Sequence, residues 1–497
     1  MKLTKTNYIL FRECAKNAWV KIHKPDIYYA QELSQFEKTI IESGNEVDEL
    51  ARKLFPNGIL IKAFDDDTAT KALINKKTPV IYQPVFENEN YKAIGDILVW
   101  NNEKFSFDLY EVKASNGGED KKAKDDIYAH DLAFQSIVIN SLNIPLNNLY
   151  IIRLNNEYVR GVDLDINELL TREDFTEKVK TVEGEVKEEM KTAYEILSSE
   201  KEPPGNCKCI ELGKSAHCST FKHSNPEVPE YSVHQISRIG LSKKKLVELI
   251  GDKIFSIYDV PEDFPLSEIQ RNQVDVAQTG KVIIEHSSIE EFLSEIKYPI
   301  SFIDYETYPA AIPRFVGYSP FNQIPFQFSL HVLDEGTENL KHSEYIFTES
   351  SNPDIEFIKA MQKYLPTSGS IIVWNKSFEM GINRKLGERN PEYQKYLEDV
   401  NERMIDLEDP FKKQYLVMKD FKGRTSIKYI LPALAPTFSY KNLDIQEGGT
   451  ASDTWNKIVT NQYKENEKLE KINHLIEYCK LDTYAMYEIW KYLVNLI

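Results

Sequence analysis

The first sixty residues carry apolar positions at helical spacing. In "NEVDELARKLFPNG", Val47, Leu50 and Leu54 fall on one face, and Pro56 with Gly58 ends the run, so residues 4–60 read as helices. Over 78–113 the pattern changes to short alternating runs, "PVIYQPVFEN", "YKAIGDILVW" and "KFSFDLYEVKA", which read as strands. A helix over about 122–142, the strand "NNLYIIRLNN" and a long charged helix over about 172–200 follow, and "EPPGN" breaks the last of these. Residues 232–275 are a smaller helical stretch. There "LSKKKLVELIGDKIFSIYDVPEDF" reads as two short helices with Gly251 between them, ending at Pro261: a packing linker, or a small helix-hairpin-helix. A second α/β pattern opens near 298 with the strand "YPISFIDYETY". The strand "FQFSLHVLD", a helix over about 353–364, the strand "SIIVW" and further helices complete it. No internal repeat or low-complexity tract stands out.

A chain of 497 residues exceeds one ordinary core. The pattern divides it into an α/β domain over 1–230, a small helical linker over 231–290 and a second α/β domain over 291–497. With 41% hydrophobic and 11% aromatic residues it can bury sizeable cores. The net charge of -17 argues against a generic nucleic-acid coat, whose affinity comes from many lysine–phosphate contacts. It does not argue against an enzyme that meets phosphates through bound cations, because unfilled metal sites themselves add negative charge. No apolar run is long enough to span a membrane. The apolar stretch of "MKLTKTNYILFRECAKNAWV" is short and broken by Arg12 and Glu13, unlike a signal peptide. Five cysteines in a chain of this size fit a reduced, cytoplasmic protein.

Two acidic constellations carry candidate chemistry. In "FDLYEVKAS", Glu111 and Lys113 project from one face of a strand and Val112 from the other. Upstream, "AIGDILVW" places Asp96 in an apolar strand. Phosphodiester hydrolysis needs a divalent cation to hold a water and the scissile phosphate, which two carboxylates provide. A lysine beside them orients the water or stabilises developing charge. E-x-K alone is ordinarily an exposed ion pair. Asp48 on the preceding helix, as an extra metal ligand, and Gln135 in "HDLAFQSIV", facing inward, raise the signal.

In the second, stronger constellation, "SFIDYETY" sets Asp304 and Glu306 on one face of an apolar strand, where like charges repel unless a cation lies between them. "IIVWNKSFEMGI" ends a strand and starts a helix bearing Asn375, Phe378 and Glu379. "IEYCKLDTYAMYEIW" places Tyr478 and Asp482 four apart on one helical face. Singly, Glu379 reads as a helix N-terminal charge and Asp482 as a solvated residue. Together they make a two-metal site in chain order, in which Tyr478 positions the attacking water.

"PPGNCKCIELGKSAHCSTF" supplies Cys207, Cys209 and Cys218, and Cys14 lies far upstream. Four such thiols suit an iron–sulfur cluster or a zinc site, the alternative being loop cysteines without metal. Cys479 reads as a helix-packing thiol.

In this order, residues 5–222 resemble the RecB-like branch of the PD-(D/E)XK nucleases. That branch includes CRISPR-associated nucleases in which one N-terminal and three C-terminal cysteines hold a 4Fe-4S cluster around a restriction-endonuclease-type α/β core. The resemblance implies that Asp96, Glu111 and Lys113 are the D…ExK core, Gln135 the helix glutamine and Cys14, Cys207, Cys209 and Cys218 the cluster ligands. Asp48 stands where the branch often has His, and C-x-C replaces the usual C-x-x-C. Residues 298–497 resemble the RNase H-like DEDD exonucleases of the tyrosine subtype, a mixed-sheet fold. Asp304, Glu306, Glu379 and Asp482 match the four acids and Tyr478 the tyrosine, with Glu379 in place of the usual Asp. Through "LTKTNYILFRECAKNAW", "LARKLFPNG", "YEVKAS" and "FIDYETY" the whole chain resembles a bacterial domain-of-unknown-function family that joins the two modules.

The expectation is a nuclease, of exonuclease type, that uses Mg²⁺ or Mn²⁺ on DNA or RNA. The rival reading is a nucleic-acid-binding or scaffold protein that keeps one or both cores for shape. Basic clusters "LSKKK" and "FKGRTSIK" would hold backbone phosphates in either case.

Overall fold

The protein is described from a computed structural model, which covers residues 1–30, 33, 35–116, 121–438, 440 and 443–497. Residues 31, 32 and 34, inside the stretch read as helical, lie outside the described residues. The fold is mixed α/β with several mixed sheets. It forms two compact units, Met1–Glu227 with Ala311–Phe321, and Val228–Ala310 with Asn322–Ile497. Among the described residues no helix is long and apolar enough to cross a membrane.

The first unit is built on a six-stranded sheet of β1 (Ile59–Leu60), β2 (Val80–Tyr82), β3 (Ile97–Asn101), β4 (Ser106–Asn116), β5 (Leu146–Leu154) and β6 (Leu170–Asp174), hydrogen-bonded in that order. β4 and β5 run parallel because a long crossover helix joins them, and β3–β4 is antiparallel. The helices α1 (Lys5–Glu13), α2 (Ala15–His23), α3 (Gln35–Arg52), α4 (Lys121–Ser141) and α5 (Thr176–Ser198) surround the sheet. Strand alternation sorts the faces. Leu98, Leu109 and Ile151 pack with Leu132 and Phe134 of α4 and Val186 of α5, while Tyr110 and Ile152 pack with Val47, Leu50 and Ala51 of α3. β6 lies where the sequence reads the start of a helix. "LTRED" is polar enough to look helical, yet it pairs antiparallel with β5, a non-local partner.

The segment Ala311–Phe321 belongs with the first unit, although the second α/β domain reads as continuous from 291. Arg160 anchors it, donating through its guanidinium to the Pro313 carbonyl (2.7 Å) and exchanging backbone bonds with Gly317 and Tyr318. Residues 231–290, read as a linker, form a small cluster inside the second unit, with Val233, Leu246, Leu249, Ile257 and Val274 buried together.

The second unit holds a five-stranded sheet. Its strands are β7 (Ile300–Pro309), β8 (Gln323–Leu333), β9 (Leu340–Ile346), β10 (Ile371–Val373) and β11 (Met404–Asp406), in the order β9-β8-β7-β10-β11. β7–β8–β9 is an antiparallel meander, and β10 and β11 add parallel to β7. Ile303 and Tyr305 pack on the helices Asp354–Tyr364 and Lys376–Arg389, labelled α6 and α7. The opposite face is covered by α8 (Gly448–Val459) and α9 (Glu465–Leu496): Trp455 stacks on Phe326, and Trp490 meets Phe302 edge-on. The alternation that buries Phe302 toward α9 sends Asp304 and Glu306 to the same side. The β7–β8 register breaks between Glu306 and Thr307, a bulge that ends the regular ladder beside the two acids.

Candidate functional site

In the first unit, Glu111 and Lys113 point from β4 toward α4. Lys113 Nζ donates to Glu111 Oε1 and Asp131 Oδ2, both at 2.7 Å. Gln135 Nε2 donates to Glu111 Oε2 at 2.8 Å and to Asp131 Oδ1 at 3.0 Å. Lys5, at the start of α1, donates to Glu111 Oε1 at 2.8 Å. Asp96 lies at a bend just before β3, not within a strand as the sequence reads it. Gly95 is needed there, because a Cβ would stand 2.9 Å from Leu109 Cδ1. Asp96 accepts the Val112 N–H at 2.7 Å, which ties it to β4 between the two motif residues. Asp48 on α3 pairs with Arg52, and Gln83 Nε2 lies between Asp48 (3.5 Å) and Asp96 (3.4 Å). All five residues singled out in sequence are thus linked through shared partners.

Burial together with Glu111 pushes Asp96 up to about 7, and burial also raises Asp48. Burial alone would raise Glu111, but Lys113 and Lys5 outweigh it and hold this acid below the usual carboxylate range. Lys5 and Asp131 escape sequence reading. Asp131 had one available signal, its place one helical turn before Gln135. Lys5 had none, being 106 residues from Glu111. Removing Lys5 takes away one of the two cations that keep Glu111 ionised. Lys5→Met is therefore expected to move the acid limb of any activity of this site to higher pH and to slow it by about 10-fold, since one pKa unit is a tenfold change in ionisation. A pH–rate profile of the variant checks this, and an unmoved acid limb contradicts it.

In the second unit one cavity of about 380 Å³ is lined by Asp304, Glu306, Glu379, Asp482, Tyr478 and Lys428, among others. Asp304, Glu306 and Cys479 offer ligand atoms within 4.8 Å of one another. Tyr440 Oη donates to Asp482 Oδ1 at 2.6 Å, and the Tyr478 hydroxyl also bonds Asp482. Glu379, in the first turn of α7, is 2% exposed, and its Oε2 has no hydrogen-bond partner among the described residues. Asn375 opens α7 in the left-handed region at φ 74°, and its N–H and that of Lys376 both donate to Asp406. Cys479 Sγ contacts the Asp304 carbonyl at 3.8 Å. Burial and the neighbouring acids push its thiol up, so it stays protonated and packs as a wall of the site. Lys428 bonds the Gln446 carbonyl and lies over the rings of Tyr440 and Tyr478. Sequence reading had Lys428 only as part of a basic cluster and missed Tyr440.

Burial, then mutual repulsion, raises Asp304 and Glu306 well above the ordinary range. Burial raises Glu379 in the same way. Asp482 is pushed up to about 6 by burial, against the pull of Tyr440 and Lys428. An unpaired buried carboxylate is costly, and a divalent cation removes the cost. An acid whose folded pKa is raised stabilises the fold fully below its unfolded pKa of about 4, and that stability is lost as pH rises through the folded value. The metal-free protein is accordingly expected to lose stability as pH climbs through and beyond 6. Mn²⁺, which favours the ionised acids, should raise the melting temperature more at pH 8 than at pH 5. Thermal denaturation at both pH values checks this, and an equal Mn²⁺ effect at the two contradicts it.

The third cluster brings Cys14, Cys207, Cys209 and Cys218 together, with all four sulfurs within 4.8 Å of one another. Cys14 caps α2, where its sulfur accepts the Asn17 N–H at 3.5 Å. Cys207 Sγ accepts from Asn225 Nδ2 at 3.1 Å, and Thr220 donates to Asn17 Oδ1 at 2.8 Å. These bonds hold the sulfurs much as outer-shell groups orient metal ligands. Four thiolates so close cannot ionise together without a cation, which fits a metal or cluster site better than loop thiols. Asn17, Asn225 and Thr220 are invisible in the spacing of the cysteines.

A family model described as a domain of unknown function (DUF2779) matches residues 301–426, a span that includes Asp304, Glu306 and Glu379 but neither Tyr478 nor Asp482. No curated protein matches the chain.

Proposed function

We propose that this chain is a metal-dependent nuclease whose principal active site is the acidic cavity of the second unit. The observation that carries the reading is the convergence of four buried acids, Asp304, Glu306, Glu379 and Asp482, with the Tyr478 hydroxyl in one cavity. Together with its order D-x-E, strand–helix acid and Tyr-x-x-x-Asp, this supports an RNase H-like, DEDD-type module. Mg²⁺ or Mn²⁺ held by these acids would supply the positive charge that a scissile phosphate needs. Tyr478, bonded to Asp482, orients the attacking water through its hydroxyl. Lys428 offers the chain's own countercharge to phosphate at the rim, and the exposed Phe378 ring offers a stacking face to a base.

The first unit is proposed as a RecB-like PD-(D/E)XK module, with Asp96, Glu111 and Lys113 as its core, Asp48 as the extra ligand and Gln135 as the helix glutamine. One observation favours a binding platform there instead: Glu111 already accepts from Lys5, Lys113 and Gln135. Nucleic acid is the proposed partner, and the four-cysteine cluster is proposed to hold a 4Fe-4S cluster or Zn²⁺. The test is incubation of the pure protein with end-labelled DNA and RNA, with Mn²⁺ or with chelator. The expected result is a ladder of products with Mn²⁺ and none with chelator, whereas full activity in chelator overturns the metal mechanism. Ca²⁺ should bind yet support cleavage poorly, because its looser coordination does not align water and phosphate.

A further inference from the structure

Away from the three sites above, α4 and α5 meet around His130. This ring is 2% exposed. Its Nδ1 lies 2.8 Å from the Asp126 carbonyl, one turn back on α4. That carbonyl can only accept, so Nδ1 carries the proton and Nε2 presents a lone pair. Nε2 is buried and has no hydrogen-bond partner among the described residues. Glu185 and Glu189 lie one turn apart on α5, and with His130 they offer ligand atoms within 4.8 Å of one another.

We propose that His130, Glu185 and Glu189 form a site for one divalent cation of the zinc class. A neutral imidazole whose second nitrogen is fixed by a backbone carbonyl is the usual state of a metal-bound histidine. A protonated His130 would instead bury an N–H with nothing to accept it, which is costly. The local charge matches the ion. Three carboxylates, Asp126, Glu185 and Glu189, surround the ring, and one guanidinium, Arg12, stands among them, 2.9 Å from Glu189 and 3.9 Å from Asp126. Two negative charges are left for a dication. Arg12 and the Tyr8 hydroxyl both address Glu189 Oε2, as outer-shell groups do on a ligating carboxylate. One imidazole nitrogen with two carboxylates, completed by water, suits Zn²⁺. Mg²⁺ prefers all-oxygen surroundings. The ion would clasp α4 to α5 and so steady the helix that presents Asp131 and Gln135 to Glu111.

The test counts zinc bound per chain in the parent, in His130→Ala and in Glu185→Gln, after equilibration with Zn²⁺ in excess Mg²⁺ and desalting. Excess Mg²⁺ occupies the all-oxygen sites, and the untouched cysteines contribute equally to all three proteins. The parent is expected to hold one zinc more than each variant. Equal zinc in parent and variants overturns the site. Glu185 is exposed, so its variant keeps the fold and carries the test if His130→Ala does not fold.

Discussion

Asp304→Asn is expected to abolish cleavage by the second unit while leaving the protein folded. Asp304 sits at the centre of the cavity, where it raises Glu306 and Glu379 and is raised in turn by burial and Asp482. A cation bridging such acids contributes several kcal/mol to the transition state, so losing one bridging acid should slow hydrolysis by about 1000-fold. The fold should not suffer, because the substitution relieves like-charge repulsion in the metal-free site. The metal-free variant should melt at or above the parent temperature at pH 8, where the parent acids are least content to be buried. Single-turnover cleavage and thermal denaturation read the two effects separately. A variant that is inactive because it is unfolded, or active at the parent rate, contradicts the assignment.

Cys14→Ser is expected to have the largest effect on stability. Cys14 is the one distant member of the thiol cluster. It ties α2 to the loop carrying Cys207, Cys209 and Cys218, and all but Cys218 are buried. Removing a ligand from a buried metal site costs on the order of 3–5 kcal/mol, which lowers the melting temperature of a domain this size by roughly 10 °C. Protein purified without oxygen should carry either iron and sulfide, with a brown colour, or stoichiometric zinc, and the variant should lose it. Metal analysis of the two proteins decides, and a parent that carries no metal at these thiols sinks the idea.

The parts legible in the sequence are those with a local period. Alternation along "FDLYEVKAS" and "SFIDYETY" fixes which face Glu111, Lys113, Asp304 and Glu306 occupy, because strand side chains alternate whatever the partner strand is. The four-residue step from Tyr478 to Asp482 does the same on α9. What escapes is set by long-range packing. Lys5 reaches Glu111 from the start of α1, and Tyr440 reaches Asp482 from a loop with no motif. β6 and β11 are too short or too polar to announce themselves and exist because a neighbouring strand accepts their hydrogen bonds. The transfer of Ala311–Phe321 to the first unit rests on Arg160, which no periodicity connects to that segment. Asp96 was read one step into a strand because "AIGDILVW" is apolar throughout, whereas the tight fit at Gly95 bends the chain there.

The most direct test of the account is Mn²⁺-dependent cleavage of end-labelled DNA and RNA by the parent, by Lys113→Ala, by Asp304→Asn and by the double variant. Each protein should show a parent-like circular dichroism spectrum. The account predicts that the parent cuts, that Asp304→Asn removes the products of the second unit, and that the double variant is folded and inert. A folded double variant that cuts as fast as the parent would contradict it.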